Sequence, residues 1–272
     1  MFIPTSSVAS VTRNITINPK FCKTPTNARQ AAEPIRIHGF RVVEILDSTG
    51  LHSEQLRELY QQAQGERVWK YDPPSLVLNG IGKISHYHIL AVLDGEQVVG
   101  TVRAILLQNA NFVFGSCLVV DSEYRNKGLA IPLIMAAMSI ADEDSQQLGN
   151  NGILGAVLGV DDNPAMFTFH AKWDVRFIHK DVLPFMMPSM DGTAPNERIF
   201  GIRYDDHSET ANMNLPVEVM KKILGDLRDF ELAIGYPADA VNRVYENLND
   251  RLKKVSYLLA LLTAEECRIS FE

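Results

Sequence analysis

A chain of 272 residues that is 46% hydrophobic can bury a core of its own, and its formal net charge of −7 excludes the basic surplus that duplex nucleic acid demands. The three cysteines, Cys22, Cys117 and Cys267, lie far apart and form no CxxC pair, which excludes a zinc knuckle and a disulfide framework and fits a reducing, cytoplasmic compartment. No stretch reaches the roughly 18 to 20 uninterrupted apolar residues of a membrane span, so a soluble protein is expected.

Residues 1–35 read as an N-terminal leader. The first 32 hold Arg13, Lys20, Lys23 and Arg29, many Ser and Thr and no acidic residue, a composition shared by surface-draped segments and organelle-targeting peptides. From 36 the pattern turns to strands and helices. Ile37 to Leu46 predicts a strand, and Ser53 to Gln64 a helix capped by Ser53. A Pro- and Gly-punctuated loop follows around "DPPSLVLNGIGK". "HYHILAVLDGEQVVGTVRAIL" then predicts a hairpin turning at Asp94 and Gly95. "NFVFGSCLVV" is a further strand, and Leu129 to Leu148 a helix ended by Gly149. "GILGAVLGV" reads as a buried strand, Pro164 to Lys172 as a short helix and Arg198 to Tyr204 as a last strand. The order is β-α-β-β-β-α-β-α-β, an α/β (α+β) domain over 36–204.

Residues 205–272 form a helical extension. Pro216 opens one helix that Gly235 closes, with Val217, Met220, Ile223, Leu224, Leu227 and Ile234 on one side. Pro237 opens a second, aligning Val241, Val244, Leu248, Leu252, Val255 and Leu259. Such stripes bury against the parent domain, with a homodimer contact or a lid over the substrate as alternatives.

The turn "YRNKGLA", Tyr124 to Ala130, joins the strand ending at Val120 to the helix that follows. A helix start presents unpaired N–H groups and partial positive charge, which suits a phosphate. Gly128 and Ala130 allow close approach to the backbone, and Arg125 and Lys127 add cationic donors.

These residues resemble the GCN5-related N-acetyltransferase (GNAT) superfamily. Its pyrophosphate signature is Arg or Gln, two variable residues, Gly, one variable residue, then Gly or Ala. Arg125, Asn126, Lys127, Gly128, Leu129 and Ala130 fit it. The resemblance spans roughly 36–204. It implies the GNAT acyl-CoA N-acyltransferase fold, a mixed, mostly antiparallel sheet flanked by helices. It also implies acetyl-CoA or another acyl-CoA as co-substrate without a metal, and a small-molecule or peptide amine as acceptor. Leu118, Val119 and Val120 would lend their backbone to the pantetheine arm. In "DDNPAMFTFHAKWDVRF", Asn163 and Lys172 match a second family motif. His170 stands where many members carry the Tyr that protonates the departing thiolate, and Trp173, Asp174 and Val175 replace the commoner Leu-Gly-Phe. An imidazole can act as that acid.

A base for the amine is harder to read. His86 and His88, two apart on a predicted strand, would share one face, although a plain polar face is the simpler reading. Asp161, Asp162 and Glu123 are equal candidates. The implied activity is N-acyl transfer by direct attack. A longer-chain acyltransferase using acyl-CoA or acyl carrier protein, and a catalytically silent CoA-binding module, are the alternatives.

Overall fold

The computed structural model describes residues 10–21, 36–37, 39–65, 71, 73–161, 166, 169–170, 173–191, 195–204, 214–255, 258–260 and 262. Two compact units are formed, one from 1–105 with 117–143, the other from 106–116 with 144–272.

The first unit is built on an antiparallel ladder. Strands β1 (Thr12–Asn14) and β2 (Arg36–Ile37) both pair with β3 (Phe40–Ile45), β3 pairs with β4 (Tyr87–Asp94), and β4 pairs with β5 (Gln97–Leu107). Gly39, at φ +94, reverses the chain between β2 and β3, where the sequence had predicted one continuous strand. The β4–β5 hairpin turns at the expected place, with Gly95 at φ +59. Ile89, Leu90, Ala91, Val92 and Leu93 are all fully buried. A strand covered on both faces carries such a continuous apolar run rather than an alternating one.

Helix α1 (Leu51–Gln64) buries Leu56, Leu59 and Tyr60 at helical spacing. It begins earlier than Ser53. Gly50 occupies the N-cap, the Asp47 carboxylate accepts the N–H groups of Thr49 and Gly50, and Ser53 Oγ donates to the Asp47 carbonyl at 2.7 Å. Within the expected loop lies helix α2 (Pro74–Asn79). Proline at its first position loses no intrahelical bond, and Leu76, Val77 and Leu78 point inward. Gly80 then passes under Tyr87: a Cβ there would meet the ring at 2.5 Å.

Part of the leader belongs to this core. Ile15, Ile17 and Phe21 are buried. Asn18 and Lys20 reach helix α3 (Ala130–Gln147), where the buried Asp142 accepts from Asn18 Nδ2 at 3.1 Å and Lys20 Nζ at 2.5 Å.

In the second unit the first half of β6 (Phe112–Val120) runs parallel to β7 (Gly155–Val160), from Phe112↔Gly155 to Gly115↔Leu158. Strand β7 is antiparallel to β10 (Asn196–Tyr204), which also takes β8 (Arg176–Ile178) and β9 (Pro184–Met187). These two short strands were not anticipated. The parallel pair apart, the ladders of both units are antiparallel, and helices flank them, the fold class expected. Helices α4 (Val217–Ile234) and α5 (Ala238–Leu252) make up the extension with a small ladder of β11 (Asn214–Pro216) and β12 (Leu258–Ala260). The second helix therefore stops at Leu252. Val255 lies beyond it, and Leu259 is buried in a strand instead of continuing the helical stripe.

Candidate functional site

The end of β6 and the start of α3 frame the turn. Cys117 takes φ +53, outside the strand region, and Leu118, Val119 and Val120 resume the strand. Gly100 on β5 lies close beneath them, where a Cβ would come within 3.3 Å of the Val119 carbonyl, and the Asp121 N–H donates to Val99 O at 3.0 Å. A 3-10 turn over Ser122–Tyr124 follows, its Asp121 cap accepting the Glu123 N–H at 2.8 Å.

Next come two left-handed residues, Asn126 at φ +62 and Gly128 at φ +79. Asparagine tolerates that region and glycine enters it freely. Among the described residues, no carbonyl or side chain accepts from the amides of Asn126, Lys127, Gly128, Leu129 or Ala130; the first bond of the helix start is Ile131 N–H to Gly128 O at 3.3 Å. Residues 125–128 are exposed, whereas Leu129 is buried and anchors the helix. Open space surrounds the position a Gly128 Cβ would take. Accessible N–H groups at a helix N-terminus form an anion cradle. Arg125 folds back on the strand, its Nε donating to Val120 O at 3.2 Å, and Lys127 Nζ sits 4.3 Å from the centroid of the Tyr124 ring.

Tyr124 opens the turn but was not among the expected site residues. Its hydroxyl donates to Asp94 Oδ2 at 3.0 Å, and its ring meets Phe40 edge to face at 5.9 Å. The hydrogen bond to Asp94 is the main reason its phenol titrates above the ordinary tyrosine range. Only the fold brings Asp94 and Phe40 to the turn, so spacing gave no signal of them.

The other candidates scatter. Asn163, Lys172 and Asp162 lie outside the described residues. His170, in the second unit, is 9% exposed, its ring edge to face with Phe169 at 5.1 Å. Burial lowers its pKa from 6.5 to about 4, which leaves the imidazole neutral at pH 7. Asp174 takes φ +56, so the turn that glycine commonly makes in the family is made here by an aspartate.

His86 and His88 do not share a strand face. His86 precedes β4 with φ +58, and His88 Nδ1 lies 2.6 Å from Glu44 Oε1. Asp161 faces Arg198 Nε at 3.2 Å, and Glu123 is exposed. Among the described residues no group of three or more His, Cys, Asp or Glu could hold a metal, and no helix is long and apolar enough to cross a membrane.

Fold and turn together define an α/β domain with a helix start whose amides have no acceptor among the described residues. Residues 51–170 match the model of the acetyltransferase (GNAT) family, and the chain carries a GNAT acetyltransferase domain, an acyltransferase, over that segment. No curated protein sequence matches the chain. Solved structures similar to it include a GNAT-family acetyltransferase from Staphylococcus aureus Mu50, at 20% identity and TM-score 0.46 over 61% of this chain and 99% of that one. Another is the ribosomal-protein-S18-alanine N-acetyltransferase from Escherichia coli, at 14% identity and TM-score 0.43 over 62% of this chain and 97% of that one. The assignment rests on the family match.

Proposed function

We propose that the chain transfers an acyl group, acetyl in the first instance, from acyl-CoA to an amine by direct attack of the amine on the thioester. The observation that carries this reading is the run of amides from Asn126 to Ala130 that have no partner among the described residues, exposed as far as Gly128, a cradle for the donor's pyrophosphate flanked by Arg125 and Lys127. The strand backbone of Leu118, Val119 and Val120 would hold the pantetheine arm, extended beside β6 as a further strand would lie; Asn163 is assigned to the donor by the family motif alone. With the donor anchored, much of the rate comes from holding amine and thioester together.

Protonation of the departing thiolate is assigned to His170 by its place in the motif. Its burial opposes the protonated form, about one ring in a thousand carrying the extra proton at pH 7 given a pKa of about 4. His170→Ala therefore has a definite consequence. If the ring is the acid, kcat falls with acetyl-CoA affinity little changed, and His170→Tyr recovers a sizeable part of the rate; an unaltered kcat returns His170 to packing. The general reading is tested with a panel of small amines, amino acids and peptides against acetyl, octanoyl and palmitoyl donors, read by free thiol and product mass. Acyl-amine product with one chain length supports it. Stabilisation by acetyl-CoA without thiol release from any pair would favour a CoA-binding module.

A further inference from the structure

The lysine of the turn lies over an aromatic ring. A lysine side chain on an exposed turn ordinarily samples many rotamers, and ordering it on a phosphate costs rotamer freedom. Here the ammonium of Lys127 lies 4.3 Å from the Tyr124 ring centroid. The ring is itself contacted at two points: its hydroxyl donates to Asp94 on the β4 end at 3.0 Å, and it forms a T-shaped pair with the Phe40 ring at 5.9 Å. Donation to a carboxylate also enriches the ring in electron density, which strengthens its attraction for a cation. Asp94 is thereby engaged by the phenol and Asp121 by the Glu123 amide.

We propose that Tyr124 is a positioning residue for the donor site: its ring, held by Asp94 and Phe40, keeps the Lys127 ammonium ordered for a phosphate of the CoA donor. The assignment rests on the donor reading above. Tyr124 does not touch the reacting atoms; it acts through Lys127, by removing an ordering cost that binding would otherwise meet.

The test is a double-mutant cycle on the full chain, with CoA as ligand and calorimetry as readout. Tyr124→Leu should weaken CoA binding by about threefold to fivefold, the cost of ordering one long side chain on binding. Tyr124→Phe keeps the ring and should recover most of that loss. In a Lys127→Gln background, Tyr124→Leu should cost nothing further, since the cation it positions is gone. The same loss in both backgrounds would make Tyr124 a structural support of the turn and overturn the assignment, as would undiminished affinity in Tyr124→Leu. Wild-type protein that binds no CoA would overturn the donor reading itself, whereas normal wild-type binding with an uncoupled cycle removes only the role of Tyr124.

Discussion

Gly128 combines φ +79 with open space around its missing side chain. Gly128→Ala should therefore cost about 1 kcal/mol in stability, from backbone strain rather than collision. Denaturant midpoints check this, and a loss above about 3 kcal/mol would mean the position is packed. His170 gives a pH signature. Its folded pKa of about 4 lies below its unfolded 6.5, so the unfolded chain binds the extra proton first as pH falls. Stability is fully present above about pH 6.5, is lost on descending towards pH 4, and should drop by about 2 kcal/mol between pH 7.5 and 5 from this group alone. Unfolding curves of wild type and His170→Gln at the two pH values isolate it; equal pH dependence would contradict the burial of the ring. The turn into α3 was readable because glycine spacing and a helix start are local signals. The Asp94–Tyr124–Lys127 arrangement was not, because strand pairing assembles it from residues 30 positions apart.

Among the elements, the strap of residues 15–21 on α3 carries the clearest prediction. Asp142 is wholly buried, and its charge is met by Lys20 and Asn18. Removing those two partners would weaken the compensation of a buried carboxylate, so Lys20→Met combined with Asn18→Ala should destabilise by about 3 kcal/mol. In that double variant Asp142→Asn should restore part of the loss, and an unchanged melting temperature would contradict the role of the strap. Cleavage after residue 21 would remove the same partners. Composition alone made this segment look separable because it shows charge and polarity but not the cross-chain partner. Helix α2 escaped notice for a related reason: Pro73 and Pro74 read as loop punctuation, whereas Pro74 occupies a helix start. The α4 and α5 stripes were legible, since each repeats at helical spacing. Strands β8 and β9 are too short to show a period.

Across the molecule, the second unit takes in residues 106–116 together with 144–272, so the helical extension shares a unit with strands of the acetyltransferase segment. Asp226 on α4 accepts from Asn109 Nδ2 at 2.5 Å and from the Ala110 N–H at 3.0 Å, and Phe177 exchanges backbone hydrogen bonds with Leu262 at 2.8 and 2.7 Å. We expect truncation after Tyr204 to expose the faces these contacts cover, lowering the melting temperature and promoting aggregation. A soluble, equally stable truncated chain would contradict that, and a dilution series that weakens full-length stability would assign the stripes to a second subunit.

The central claim is that the amides of Asn126 to Ala130 hold the pyrophosphate of an acyl-CoA. Calorimetric titration of folded wild type and Gly128→Glu with acetyl-CoA tests it most directly, because the glutamate brings both bulk and negative charge to the cradle. The account predicts saturable binding by wild type and a loss of more than about tenfold, roughly 1.4 kcal/mol, in the variant; equal affinities in the two proteins would contradict it.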